Sequence, residues 1–437
     1  MKYWASLGLS FFTILAEGQE KDLSYYYNQA EEAYRAKAHP KFYEMIKEAN
    51  RIHPYHQGIL YQLGMAAALT GHKAEAIENL KKAILIDASF KLEGLADFNS
   101  IKNTPEFRSL LELQREWQRP VIHSDTAFVL HDRSLHTEGI DYDASDKTFY
   151  LGSIHKRKIV KVTASGDATD HRQVGAGTSG QATDFCPEGF EGMTSIFGIK
   201  VDSKNKILWA CSSPMQEMKN YDSAARSAVF KFELSTGKLL EKIQRPKWEK
   251  DGVFGDLILN KKGDVFVSDS QTNTIFIIHE KTHQLEPYFT SPDFWNIQGL
   301  SFSDNEKFLF ISDYVKGIYR LELKTKTLTE VKCNLDVSLK GIDGLVCDDH
   351  SLIAIQNGTN PLRVSRYILN TDQNQIIQFE IIDRKHPAFN EPTLGVVAGK
   401  TFYYIANSQW SGYDNEHHIK PDDLLQDIVI LKAKLRD

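Results

Sequence analysis

Cysteine is scarce in this sequence of 437 residues: four are present, Cys186, Cys211, Cys333 and Cys347. That is too few for a small disulfide scaffold, although one bridge remains open, since Cys186 and Cys211 flank two consecutive predicted strands and could meet. Cys347 sits in an alternating apolar stretch and reads as a small core residue. A Lys/Arg block along one face is also missing, and the net charge is −6. The electrostatic footprint of a nucleic-acid binder is therefore lacking. No Gly-rich phosphate loop, serine nucleophile elbow or zinc-spaced Cys/His cluster occurs. Beyond residue 16 no apolar run reaches the roughly 20 residues of a membrane-spanning helix.

What is there begins with an export signature. Met1-Lys2 precedes an apolar run from Tyr3 to Ala16, and Ala16-Glu17-Gly18 puts small residues where a signal peptidase looks. Residues 1–18 are thus expected to be a signal peptide, leaving a periplasmic or secreted protein with no membrane span after cleavage. A chain this long exceeds the roughly 250–300 residues one core usually serves, so two domains are expected.

Residues 19–119 are expected to form a helical domain: from Leu23 to about Arg119 the periodicity is helical, and it repeats at about 34 residues. Tyr27 recurs as Tyr61, Ala30 as Gly64, Lys47 as Lys81 and Ala49 as Ala83. The second copy, with Leu63-Gly64, Gly71, Glu75-Ala76-Ile77, Leu80 and Lys82-Ala83-Ile84, resembles the tetratricopeptide pattern. A helix from Pro105 to Trp117 would cap the array, and Arg119-Pro120-Val121 marks its end. Such an array implies either a bracing role or a groove for a protein partner.

After Ser124 the period switches to two, with turn residues between strands. One unit recurs six times, opening at Glu138-Gly139-Ile140, Phe197-Gly198-Ile199, Gly255-Asp256-Leu257, Gln298-Gly299-Leu300, Asp343-Gly344-Leu345 and Thr393-Leu394-Gly395. Intervals of roughly 43–59 residues fit four-stranded propeller blades. The last unit is one strand short, and Thr126 to Leu130, ahead of the first opening, would complete it and close the ring. The fold class is therefore two-domain α+β: a short all-α tetratricopeptide-like array, then an all-β six-bladed β-propeller over residues 120–437.

In a propeller the unit's first strand is innermost, so residues at the six openings converge on the channel. Glu138, Asp256, Gln298 and Asp343 all offer oxygen there. Carboxylates and amides crowded on one axis are relieved by a hard cation with about 6–8 oxygen ligands, and calcium is the natural choice. Asp269 and Asp313, each in a Ser-Asp pair, are expected to accept hydrogen bonds from loop amides. His155 is a possible proton carrier at a strand end, and His417-His418 lies in a long polar insertion that reads as a lid or, alternatively, a metal site.

Glu138-Gly139-Ile140, Gln298-Gly299-Leu300 and Asp343-Gly344-Leu345 resemble the central-strand motifs of the gluconolactonase and senescence-marker-protein family, with paraoxonases as relatives. The resemblance covers residues 125–437. It implies a divalent metal held by Glu138, Gln298 (an asparagine in the family) and Asp343, and hydrolysis of a small-molecule lactone or ester. Asp256 would be a positioning or basic group, and His155 a secondary proton carrier. The family's sugar lactonases carry Arg and Asn before the aspartate matching Asp256, where this chain has Val253 and Gly255. Their sugar contacts are absent, so the implied substrate differs. The alternative is a non-catalytic propeller that binds a small molecule or a protein, with the helical repeats as an interaction module.

Overall fold

The computed structural model describes residues 22–163, 182–246 and 249–435. The expected signal peptide lies outside them. Among the described residues, no helix is long and apolar enough to cross a membrane. The chain divides into two compact units, one running to Leu80 and resuming over Leu92–Arg108, the other made of Lys81–Lys91 and everything from Ser109 on.

The helical segment contains α1 (Leu23–Arg35), α2 (His39–Ile52), α3 (Gln57–Leu69), α4 (Lys73–Ile86) and α5 (Pro105–Gln118). Asp22 caps α1 by accepting the Tyr25 amide at 2.8 Å, supplying an acceptor to an otherwise unpaired first-turn N–H. Small residues let the helices touch: Ala30 and Ala49 are fully buried, and a side chain on Gly64 would collide with Leu80. The helix expected from Pro105 to Trp117 is α5.

The strands of the described residues form six sheets arranged as propeller blades, each running from an innermost strand outward. Blade 1 holds Thr137–Asp143, Thr148–Ser153, Ile159–Thr163 and Ala182–Cys186; blade 2 holds Ser195–Asp202, Ile207–Ser213, Ala228–Glu233 and Leu239–Gln244. Blade 3 holds Phe254–Leu259, Val265–Asp269, Thr274–Ile278 and Leu285–Thr290; blade 4 holds Ile297–Phe302, Phe308–Asp313, Gly317–Glu322 and Thr327–Glu330. Blade 5 holds Ile342–Asp348, Ser351–Gln356, Arg363–Leu369 and Gln375–Arg384, the last also pairing with Val121–Ile122. Blade 6 holds Gly395–Ala398, Thr401–Ile405 and Ile428–Lys434.

The missing fourth strand of blade 6 is Asp125–Leu130, antiparallel to Ile428–Lys434 with Val129 opposite Val429. The ring is closed by the segment the sequence pointed to, and an open ladder edge is removed. Beside this joint the carboxyl of Asp383, fully buried, accepts the amides of His123 and Ser124, the Ser124 hydroxyl and the Tyr404 hydroxyl.

Apolar clusters fill each gap between neighbouring blades, and the one beside blade 5 also takes in Leu85, Ala88 and Trp117. Trp117 stacks on Phe379 with centroids 6.1 Å apart, while the guanidinium of buried Arg363 lies 4.6 Å over its ring. Arg363 donates to Leu85 O, Gln356 Oε1 and Ser338 O, so burial, which lowers its pKa to about 10, is met by three acceptors.

The cysteine pair allowed by the sequence does not form. All four thiols are free. Cys186 lies in the cluster between blades 1 and 2 and Cys211 in the cluster between blades 2 and 3, on opposite faces of blade 2. Burial pushes the Cys186 thiol up to about 12.

Candidate functional site

Every inner strand from blade 1 to blade 5 breaks register at its opening. Ile140 faces Leu151, Ile199 faces Ala210, Leu257 faces Val267, Leu300 faces Ile311 and Leu345 faces Ala354, each just past a bulge. Two residues before these anchors stand Glu138, Phe197, Gly255, Gln298 and Asp343. A bulge re-aims side chains at the end of a strand, here at the channel mouth. The residue between is glycine in four of the five because neighbouring backbones nearly touch: a Cβ on Gly139 would lie 2.0 Å from Phe197 O, and one on Gly344 would lie 2.4 Å from Thr393 O.

Glu138 is buried, 7% exposed. The Trp410 indole N–H donates to its Oε1. Burial and the nearby Asp343 carboxyl raise the Glu138 pKa well above the usual carboxylate range. Asp343 accepts Asn357 Nδ2 on Oδ2 at 2.7 Å, and Asn357 in turn accepts the Tyr314 hydroxyl at 3.0 Å. Burial, with the fields of Asp256 and Glu391, pushes Asp343 to about 7. Gln298 donates through Nε2 to Asn296, which turns Oε1 toward the space above Gly255, 3.6 Å from where a Cβ would stand.

Two oxygens with no described protein donor remain on this set, Asp343 Oδ1 and Gln298 Oε1, while the Glu138 carboxyl is approached by the Thr393 and Ser408 hydroxyls as well as by Trp410. An oxygen-only trio carrying two carboxyls whose proton affinity is already raised fits a hard divalent cation. Only two of the three are carboxyls, and among the described residues no group of three or more His, Cys, Asp or Glu side chains is gathered for a metal.

Asp256 falls one residue out of step. It occupies the place that glycine holds in the other four strands, so its side chain is not equivalent to Glu138. Its Oδ1 accepts the Leu257 amide at 2.8 Å and its Oδ2 the Leu300 amide at 3.1 Å, tying blade 3 to blade 4. Asp141 makes a similar tie from blade 1 to the Val201 amide of blade 2 at 2.6 Å. Burial raises both carboxyls, and Lys200 opposes that rise in both. The far halves of the inner strands line a cavity of about 330 Å³ that includes Lys200, Ser301 and Cys347.

His155 is half-buried at the end of blade 1's second strand. Its Nδ1 lies 2.8 Å from Glu217 O, which makes that nitrogen the donor and leaves Nε2 as an acceptor. Burial lowers its pKa. Asp269 and Asp313 behave as loop braces. Asp269 accepts the amides of Val253, Gln271 and Thr272, and Asp313 those of Trp295, Asn296, Val315 and Lys316. His417 Nδ1 lies 2.6 Å from Glu217 Oε1, whereas His418 is largely exposed.

Sequence reasoning missed four residues. Trp410 and Tyr413 come from the blade 6 insertion, His136 from the turn before blade 1, and Glu391 from the turn before blade 6. His136 and Glu391 each lie two residues before an opening already singled out, and Trp410 and Tyr413 lie in the insertion that carries His417-His418, which is the signal that was available. His136 is 2% exposed, its Nδ1 sits 2.6 Å from Tyr413 Oη, and burial takes its pKa down to about 3.

No family model matches the chain, and no curated protein matches it in sequence. Among solved structures it is similar to the calcium-binding protein regucalcin from Agrobacterium tumefaciens, at 16% identity and TM-score 0.48, covering 71% of this chain and 96% of that one. It is also similar to a luciferin-regenerating enzyme, at 11% identity and TM-score 0.47, covering 72% and 96%. A third is virginiamycin B lyase from Staphylococcus aureus, at 12% identity and TM-score 0.45, covering 73% and 100%.

Proposed function

We propose that the channel mouth holds a divalent cation, calcium by its all-oxygen donor set, and hydrolyses a small-molecule lactone or ester. The observation that carries this reading is the enclosure of Glu138 and Asp343 at the channel mouth, where burial and the Asp343 field raise the Glu138 pKa, burial with Asp256 and Glu391 raises that of Asp343, and Asp343 keeps Oδ1 without a described donor. Glu138, Gln298 and Asp343 would hold the ion. When bound, calcium would supply Lewis-acid polarisation of the acyl carbonyl.

The chain's own groups divide the remaining work. Trp410 and Asn357 fix the two carboxyls by hydrogen bonds, so the donor set is organised before substrate arrives. His155, with Nδ1 engaged, offers Nε2 to take a proton from water. Asp256, its oxygens already accepting two amides, contributes negative charge and holds blades 3 and 4 in register.

A panel of lactones and aryl esters tests this. Calcium-loaded wild type should turn over at least one member, and His155→Gln should lose about 10²–10⁴-fold in kcat, the range for a general base. Asp256→Asn should keep calcium affinity and lose less. Wild type inert toward every member would remove the hydrolase reading and leave a binding module.

A further inference from the structure

His136 carries two costs that its own neighbourhood does not explain. Its backbone is left-handed, with φ 45° and ψ 84°, a conformation that a side chain with a Cβ rarely adopts. Its Nε2 is buried and has no hydrogen-bond partner among the described residues. A buried polar atom left unpaired costs about 1–3 kcal/mol. Packing determines the ring's orientation fully: it stands edge-on to Trp410, with centroids 4.5 Å apart and planes at 88°, and Nδ1 meets Tyr413 Oη. Trp410 is also the donor to Glu138, two residues along the chain from His136.

The tautomer follows from the hydroxyl. Among the described residues Tyr413 Oη has His136 Nδ1 as its only hydrogen-bond partner, so its proton goes there and Nδ1 accepts. The imidazole proton is then on Nε2, which makes the unpartnered atom a donor. A fixed N–H on a ring packed against the Glu138 donor Trp410, with nothing among the described residues to receive it, suits an oxygen of a bound molecule.

We propose that His136 Nε2–H donates to the acyl oxygen of the substrate bound at the channel mouth. This rests on the ester and lactone reading of that mouth. The donor strengthens as charge develops on the acyl oxygen, so its contribution falls on kcat more than on KM. No proton is transferred by His136 in this role.

The test compares wild type, His136→Phe, His136→Gln and Tyr413→Phe in the full chain with calcium. His136→Phe keeps a ring against Trp410 and removes the donor; His136→Gln returns an N–H at similar reach. Removing one preorganised donor costs about 10–1,000-fold, so His136→Phe should lower kcat by at least about tenfold, with KM and calcium affinity within threefold. His136→Gln should recover part of that loss. Tyr413→Phe, which frees the tautomer, should show a smaller fall in kcat and serves if His136→Phe does not fold. A kcat for His136→Phe within threefold of wild type overturns the proposal.

If wild type hydrolyses nothing, δ-valerolactam, an unreactive acyl analogue, is titrated calorimetrically instead. Binding by wild type that weakens at least about tenfold in His136→Phe supports the donor. Binding that is equal in the two overturns His136 alone. No binding by wild type overturns both the donor and the lactone reading.

Discussion

Stripped of divalent ions, the protein should melt at progressively lower temperature as pH rises from about 4 to about 7, and millimolar calcium should reverse the fall. Burial, with the Asp343 field on Glu138 and the fields of Asp256 and Glu391 on Asp343, makes both folded carboxyls hold protons more tightly than the unfolded chain does. Below the ordinary carboxylate range, about 4, both states are protonated and no penalty exists. As pH rises, the unfolded chain ionises first, so each step upward favours unfolding. The decline ends when the folded pair has ionised, about 7 for Asp343. Calcium binds the ionised folded form and offsets the loss by mass action. Glu138→Gln/Asp343→Asn should flatten this part of the curve and make it indifferent to chelator. Melting curves of chelated wild type and double variant that run parallel across this window would contradict the assignment.

Asp383→Ala should destabilise the propeller by at least about 4 kcal/mol in urea unfolding, because it strands four donors and each buried orphan costs about 1–3 kcal/mol. Those donors are the His123 and Ser124 amides, the Ser124 hydroxyl and the Tyr404 hydroxyl. They fasten the segment that enters the closing strand Asp125–Leu130, so the loss should be felt by the whole ring. Asp383→Asn, which keeps one acceptor oxygen, should cost about half as much. A loss under about 1 kcal/mol for Asp383→Ala would show that strand pairing alone closes the ring.

The blades were legible because a two-residue apolar period, a small residue at each opening and a turn after each strand all pointed to the same unit. Closure was legible because blade 6 was one strand short while Thr126 to Leu130 had no partner. Asp256 was misjudged by one residue. Gly255-Asp256-Leu257 resembles Glu138-Gly139-Ile140 in composition, but Leu257 pairs with Val267 as Ile140 pairs with Leu151, and that register puts Asp256 in the glycine's place. A bulge hides such a shift, since it adds a residue without changing the alternation on either side.

Trp410 and Tyr413 stayed hidden for a different reason. Irregular insertions carry no period, and the contacts of Trp410 with Glu138 and of Tyr413 with His136 span more than 270 residues of sequence. The apolar faces of α4 and α5 were legible as faces, yet nothing in a helical period names its cover. Leu85, Ala88 and Trp117 turn out to share a core with Phe310, Leu352 and Tyr367 of blades 4 and 5.

The central claim is that Glu138, Gln298 and Asp343 hold one calcium ion, and a calorimetric titration of calcium into chelator-stripped protein tests it most directly. Wild type should bind one ion per chain; Gln298→Leu should bind more weakly, and Glu138→Gln/Asp343→Asn should give no binding heat. A wild type that takes up no calcium, or a double variant that binds it as tightly as wild type, would contradict the account.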